Sequence, residues 1–323
     1  MTEQELKQFQ EDVAAILKRD YFPESEGYSI HTQLVRKNNN VKKYGITIGV
    51  PDSRVAPSFY VDDYAVTHTP EAAAEAIFRN YQAHKKDAQD INENKINQLF
   101  DYEQAKDLIT YRVVNRQRNS DIEASCPTIP IAPDLMMIFY LQLDRESSCL
   151  IKNDFCTMWG LTENIEKTLF TQADINTERL KPACLKTMAA IMKEMVPESM
   201  WDEMELADNL TPPMYVLTTE DKVYGATTIL YRNGQLLKEC LERIQNDYNN
   251  PSITDFYIIP SSTHEVLLVP ATDDITKERL QAMCQEVNST QVDITDQLSD
   301  NIFQYNQDDG FQQITFYQQE ITR

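Results

Sequence analysis

The chain has 323 residues, of which 41% are hydrophobic and 25% are charged, and this balance excludes a globally disordered protein. With 51 acidic and 30 basic residues the formal net charge is −21, which disfavours a general nucleic-acid surface and binding to an anionic membrane. The length fits one large domain or two ordinary ones.

The first predicted element is an amphipathic helix over residues 3–19. Thr2 and Glu5 have the spacing of a capping box, and apolar residues recur behind them at helical intervals. This segment lacks the basic start and apolar stretch of a signal peptide, and the longest apolar run, residues 135–143, is shorter than the ~20 residues that span a bilayer. The sequence therefore predicts a soluble protein of the cytoplasm.

The elements that follow alternate between hairpins and helices. A hairpin turning at residues 38–40 and a short strand at 58–61 precede helical stretches over 70–86 and 91–108, whereas residues 109–115 fit either state. Residues 135–143 predict a central strand that is covered on both faces, with 148–151 as its partner. Helices are expected over 162–174 and 181–195.

The last third predicts two strand–strand–helix units. They comprise strands at 214–218 and 226–231 with a helix at 235–248, then strands at 256–259 and 265–269 with a helix at 275–288. Aromatic residues between 303 and 317 predict terminal strands. Hairpins with helices on one side predict an α+β fold with mostly antiparallel sheets. Seven glycines and no glycine-rich loop exclude P-loop and dinucleotide folds, and no cofactor is predicted.

An acidic, proline-bounded segment is the candidate domain boundary. Residues 196–213 carry five carboxylates without a basic residue and end at Pro212 and Pro213. The predicted organisation is an N-terminal α+β region (1–195), an acidic connection (196–213) and a C-terminal α+β region (214–323); one continuous domain is the alternative.

The six cysteines are predicted to be reduced. They stand at 126, 149, 156, 184, 240 and 284, without a Cys-x-x-Cys pair or a neighbouring histidine. Such spacing favours neither a disulfide framework nor a structural zinc site.

Several short segments have the residues of a known family. They include Asn115, Pro133-Asp-Leu135, Trp159-Gly-Leu-Thr162, Tyr224-Gly-Ala-Thr-Thr-Ile-Leu230, Ile259 to Pro270, Glu286-Val-Asn288 and Leu298-Ser-Asp300. On these segments the chain resembles a family of uncharacterised proteins from gut Clostridia, and its middle and C-terminal layout is also similar to a second uncharacterised bacterial family. The resemblance covers most of the chain and implies one shared architecture without a known reaction.

The first candidate site surrounds His264. It stands with Glu265 between a turn containing Ser261 and Ser262 and an apolar strand, and a histidine beside hydroxyls and a carboxylate suits acid–base or nucleophilic chemistry. Neighbouring residues on a strand point to opposite faces, so Glu265 is poorly placed to orient His264. The structural alternative is that these groups satisfy the backbone of a tight, buried hairpin.

Two further candidates are charged clusters. Asp62, Asp63 and Asp134 could converge with Glu265 on a divalent cation, because carboxylate oxygens are the ligands that Mg²⁺ and Ca²⁺ prefer. The alternative is that these aspartates cap turns or face solvent.

Arg112, Arg116 and Arg118, with Lys106, form the one basic cluster, which could bind a phosphate or an acidic partner. The alternative is pairing with acidic residues elsewhere in the chain.

The absence of a complete catalytic motif favours a binding protein. We expect a non-enzymatic cytoplasmic module with a regulatory or accessory role and an unidentified protein partner. The alternative is a hydrolase centred on His264 with Ser261 or Ser262, aided by a carboxylate-bound divalent cation. An exposed His264 beside a hydroxyl or carboxylate favours the enzyme, and a buried His264 bonded to backbone favours binding.

Overall fold

The computed structural model describes residues 1–51, 56–89, 93–143, 147–177, 184–187, 196–200, 214–260, 262–272, 275–308 and 310–311. The chain divides into two units, Met1–Asp101 and Tyr102–Arg323. Both units combine helices with antiparallel sheets, so the predicted α+β class is confirmed. No helix within the described ranges is both long and apolar enough to cross a membrane.

The first unit packs helices on a small antiparallel sheet. Its first helix begins at the predicted capping box, in which Glu5 N–H donates to Thr2 Oγ1 at 3.2 Å and Thr2 N–H donates to the Glu5 carboxylate at 2.7 Å. The strands pair in the order β1–β2–β3. The elements are α1 (Glu3–Ile16), a π-helix (Leu17–Tyr21), β1 (Ser29–Arg36), β2 (Lys42–Gly49), β3 (Ser58–Tyr60), α2 (Asp62–Ala65), α3 (Pro70–Gln89) and α4 (Glu93–Gln98).

An apolar core of its own holds this unit together. Val13 of α1, Ile46 and Ile48 of β2 and Ile77 of α3 are fully buried in one cluster. Burying each such side chain stabilises the fold by about 1.5–3 kcal/mol relative to leaving it in water. The helices therefore cover one face of the sheet.

The second unit contains two antiparallel sheets. One has the strand order β4–β6–β5, and β7 pairs with the last residues of β6, 140–142. The second sheet has the strand order β13–β12–β10–β11–β9–β8. The elements are α5 (Tyr102–Ala105), β4 (Ile109–Asn115), α6 (Ser120–Ser125), β5 (Thr128–Ala132), β6 (Leu135–Gln142), β7 (Ser148–Leu150), α7 (Asn153–Met158), α8 (Ile165–Thr177), β8 (Cys184–Thr187), β9 (Tyr215–Thr218), α9 (Gln235–Asp247), β10 (Asp255–Ile259), β11 (Val266–Pro270), α10 (Lys277–Thr290), β12 (Phe303–Asn306) and β13 (Gly310–Phe311).

Most of these elements match the sequence pattern. β6 is buried along nearly its whole length, as its uninterrupted apolar run predicts. Residues 109–115, which fitted either state, form a fully buried strand paired with β6. The predicted terminal strands are present as β12 and β13.

The structure corrects two parts of the predicted element order. The described residues of the predicted helix 181–195, Cys184–Thr187, form β8, because they pair with β9 in a long-range contact that a local helical pattern does not contain. The other residues of that predicted helix lie outside the described part of the chain. The predicted strand 226–231 is part of a 3₁₀ helix, Gly225–Gly234. The left-handed backbone of Tyr224, with φ +52°, breaks the extended run before it.

The predicted acidic connection falls mostly outside the described residues. Only 196–200 of the segment 196–213 are described, and they include a 3₁₀ turn at Glu198–Met200. The boundary at this segment stays a prediction.

The separate core of the first unit predicts that residues 1–101 fold without the rest of the chain. The fragment should show a cooperative thermal transition by circular dichroism, because all members of its core cluster lie within it. A shorter fragment, residues 1–60, lacks α3 and should show no transition. A non-cooperative melt of the longer fragment would contradict the prediction.

Candidate functional site

A network of buried polar groups holds residues 297–301, here called the anchor segment. Asn115, at the end of β4, donates through Nδ2 to the carbonyl of Leu298 at 2.8 Å. Asp134, just before β6, accepts through Oδ2 from Ser299 Oγ at 2.5 Å and from Asn301 Nδ2 at 2.9 Å. The anchor segment is thereby tied to the ends of two strands of the β4–β6–β5 sheet.

Helix α10 holds the same segment from a second direction. Asn288 Nδ2 donates to the Ser299 carbonyl at 3.0 Å and to Asp300 Oδ1 at 2.7 Å. The Cys284 thiol also donates to the Ser299 carbonyl, at 3.5 Å. Burial raises the pKa of this thiol to about 12, so it keeps the proton that it donates.

The anchor segment places Asp296 beside His264. Thr263 N–H donates to the Asp296 carbonyl at 2.8 Å, and Ser262 forms an isolated β-bridge with Gln297. The Nε2 atom of His264 then lies 3.4 Å from Asp296 Oδ1, and the two side chains are 32% and 41% exposed. The imidazole therefore has a carboxylate partner from a segment 32 residues further along the chain.

The turn before the 3₁₀ helix closes the other side of His264. Tyr224 N–H donates to His264 Nδ1 at 3.3 Å, while Gly225 N–H and Thr218 Oγ1 donate to the His264 carbonyl at 2.9 and 2.7 Å. A Cβ on Gly225 would stand 2.4 Å from that carbonyl and 2.3 Å from Thr218 Oγ1. The sequence needs glycine here because the two backbones approach too closely for any side chain.

Four side chains form a continuous stack, the aromatic–arginine stack: Tyr140, Arg112, Tyr224 and His264. The guanidinium of Arg112 lies 3.9 Å from the Tyr140 ring centroid and 3.6 Å from that of Tyr224. The Tyr224 ring in turn stacks on His264, with centroids 5.5 Å apart and an interplanar angle of 27°. Both faces of the guanidinium are thus covered by aromatic rings, a cation–π arrangement.

The arginine in this stack is buried. Arg112 is 7% exposed, and its Nη2 donates to Gln142 Oε1 at 3.2 Å and to Ser148 Oγ at 2.8 Å. Burial is the main cause that lowers the pKa of Arg112, and burial also raises the pKa of Tyr140. The site therefore contains a desolvated cation next to a partly exposed histidine and tyrosine.

The structure separates the three arginines of the predicted basic cluster. Arg116 pairs with Glu123 at 2.6 Å, and Arg118 pairs with Asp300 at 3.1 Å. These two arginines therefore follow the alternative prediction, pairing with acidic residues elsewhere in the chain. Arg112 instead joins the aromatic–arginine stack. These three neighbours in sequence therefore have different environments.

The other predicted residues have varied positions. Ser262 is buried and its Oγ accepts the backbone N–H of His264 at 3.0 Å, whereas Ser261 lies outside the described residues. Glu265 is half-buried, and it is Asp296 that approaches the His264 ring.

The aspartates predicted as cation ligands have protein partners. Asp62 Oδ2 accepts from Tyr44 N–H at 2.7 Å, and Asp63 pairs with Lys43 at 3.0 Å. Asp134 belongs to the anchor network. Across the described residues, no group of three or more histidine, cysteine or acidic side chains could hold a metal ion.

The sequence did not identify Asp296, Tyr140 or Tyr224 as site residues. Tyr224 had one signal, because it opens a segment that carries the family resemblance and precedes one of only seven glycines. Asp296 had none, since its position depends on the long-range docking of the anchor segment.

The anchor network predicts a clear stability effect at Asn288. Replacing Asn288 with Ala should lower the free energy of unfolding by about 1–3 kcal/mol, because the buried Ser299 carbonyl and Asp300 carboxylate each lose a donor. The control Gln291→Ala, at the exposed end of α10, should change it by less than about 0.5 kcal/mol. Equal urea midpoints for the two variants would contradict a structural role for the anchor network.

Comparison with known proteins identifies the family of the chain. No curated protein matches it, and no solved structure matches it. The model of a family of unknown function, DUF5688, matches residues 6–307, which is nearly the whole chain. The chain therefore belongs to the DUF5688 family of unknown function.

Proposed function

We propose that this protein acts by binding, as an accessory or regulatory module, and not as a hydrolase. The observation that supports this proposal is that both ring nitrogens of His264 are engaged. Nδ1 accepts the backbone N–H of Tyr224, and Nε2 faces the Asp296 carboxylate. A neutral imidazole has one N–H and one lone pair, and these two contacts use both.

A general base needs its lone pair directed at the proton that it removes. The lone pair of His264 is directed at a backbone amide, so Asp296 fixes the tautomer without activating the ring toward a substrate. Ser262, the nearest described candidate nucleophile, is 5% exposed and its oxygen accepts a backbone N–H. The arrangement supports a structural and binding role for His264 over a catalytic one.

The exposed end of the aromatic–arginine stack is the proposed binding surface. Tyr224 is 37% exposed and Val223 beside it is 39% exposed, next to the partly exposed His264 ring. Tyrosine offers a rigid apolar ring with a polar tip, which is why it is enriched at binding interfaces.

The cytoplasm of a bacterium is the proposed location. Cys126, Cys149, Cys156, Cys240 and Cys284 are free thiols, and burial raises the pKa of all five, which keeps them protonated. Free, protonated thiols are consistent with a reducing compartment.

A comparison of His264→Ala with His31→Ala tests the proposed function. The His264 variant should lose about 1–3 kcal/mol of unfolding free energy, because Asp296 and the Tyr224 amide lose their partner, and the exposed His31 variant about 0.5 kcal/mol or less. Both variants and the wild type should hydrolyse p-nitrophenyl acetate and p-nitrophenyl phosphate at the same rate.

The alternative hypothesis, a hydrolase centred on His264, predicts the opposite result for the same variants. It requires a loss of turnover of tenfold or more in His264→Ala, with a urea midpoint close to that of the wild type. That pair of results would refute the binding proposal.

A further inference from the structure

We infer that the aromatic–arginine stack is the binding site for a small carboxylate, which is held by the edge of the Arg112 guanidinium. This inference rests on the proposed binding function and names the ligand class of the same site. Arg112 is 7% exposed, with a tyrosine on each face. Its remaining contact surface is the planar edge that carries its N–H groups.

The hydrogen bonds of Arg112 leave part of this edge available. A guanidinium has five N–H donors, and both acceptors at hydrogen-bond distance, Gln142 Oε1 and Ser148 Oγ, lie on Nη2. The Tyr140 hydroxyl is a third neutral group that interacts with it. Three neutral partners do not balance the buried positive charge.

The contrast with other arginines makes this environment unusual. Within the described part of the chain, no carboxylate forms an ion pair with Arg112, although the protein has 51 acidic residues. Five other arginines do have such a partner: Arg19 with Asp20, Arg79 with Glu75, Arg116 with Glu123, Arg118 with Asp300 and Arg243 with Asp247. Those five are more exposed, whereas a buried charge has the greatest need for a counter-ion.

The chemistry of the site favours a carboxylate over a phosphate. A carboxylate is planar and carries one negative charge, which matches the edge and the charge of a single guanidinium. A phosphate dianion would bring a second buried charge that no described cation of the stack balances. The net charge of −21 further disfavours a polyanion.

The residues at one end of the guanidinium are partly exposed to solvent. Ser148, which accepts from Nη2, is exposed, and Gln142 is half-buried. A small acid bound at this end of Arg112 would accept from the Nη1 or Nε groups, which make none of the hydrogen bonds found among the described residues. The restricted exposure of Arg112 selects a small ligand.

Thermal melts in sodium acetate and sodium benzoate test this site, with sodium chloride at equal ionic strength as the reference. The melting temperature of the wild type should rise with the logarithm of carboxylate concentration above the dissociation constant, and should do so more than in chloride. Arg112→Gln should lose the shift. Arg112→Lys, which keeps the charge but lacks the planar fork, should bind acetate at least tenfold more weakly, and the matched control Arg116→Gln should respond like the wild type.

Other results would overturn the inference in distinguishable ways. A larger rise in melting temperature with inorganic phosphate than with acetate would show that the ligand is a phosphate and not a carboxylate. Equal melting temperatures in acetate and chloride would show that no carboxylate site exists. If both Arg112 variants fail to fold, isothermal titration of wild type and of Tyr224→Ala with acetate decides, with binding expected to weaken at least tenfold in the variant and equal affinities contradicting the site.

The chain's own acidic residues are an internal alternative. Asp144 and Glu146 lie between Gln142 and Ser148 in sequence, and their placement is outside the described residues. The double variant Asp144→Asn/Glu146→Gln should keep the wild-type acetate response. A loss of stability equal to that of Arg112→Gln would identify an internal counter-ion and overturn an external ligand. None of these failures changes the ester-hydrolysis comparison, which alone tests the proposed function.

Discussion

The placement of the candidate site depends on the burial of Asp134. A carboxylate that is 5% exposed needs donors that replace the water it has lost, and Ser299 and Asn301 both donate to its Oδ2, while its Oδ1 has no hydrogen-bond partner among the described residues. Because both donors come from residues 297–301, satisfying Asp134 also fixes the path of the chain just after Asp296. The position of the Asp296 carboxylate beside His264 is thus a consequence of the hydrogen bonds that Ser299 and Asn301, a few residues further along, make to Asp134.

The β10–β11 turn and the 3₁₀ helix are also held together by hydrogen bonds that satisfy backbone groups. The His264 carbonyl accepts from Thr218 and Gly225, and the His264 ring accepts from Tyr224. These bonds require a backbone approach that excludes a side chain at residue 225 and places the Tyr224 ring over Arg112. Backbone satisfaction, more than side-chain attraction, therefore assembles the aromatic–arginine stack.

Sequence reasoning succeeded where the signal is local and failed where partners are distant. The capping box at Thr2 and the buried strand β6 are properties of short segments, and both are present. The segment 226–231 has strand-forming residues, but its structure follows from the left-handed Tyr224 and from the hydrogen bond of Gly225 to the carbonyl of His264, 39 residues further along the chain. Arg112 and His264 were recognised by residue type, whereas Asp296 and Tyr140 are defined only by the fold. Several residues that carry the family resemblance, among them Asn115, Asp134 and Asn288, meet in the anchor network, so the resemblance reports architecture more directly than chemistry.

The buried polar groups of the anchor network and the buried Arg112, both in the second unit, differ in whether the described residues provide partners that explain their burial. In the anchor network the side-chain donors of Asn115 and Asn288 meet backbone carbonyls and carboxylates, so those bonds specify the fold. Arg112 is equally buried, yet among the described residues its charge meets only aromatic faces and neutral oxygens. Such a cation costs stability, because a buried charge is expensive to desolvate and an apolar side chain of similar shape could fill the space between the two rings at less cost. The small carboxylate that we propose as the ligand would supply a counter-ion that the described residues do not provide for Arg112.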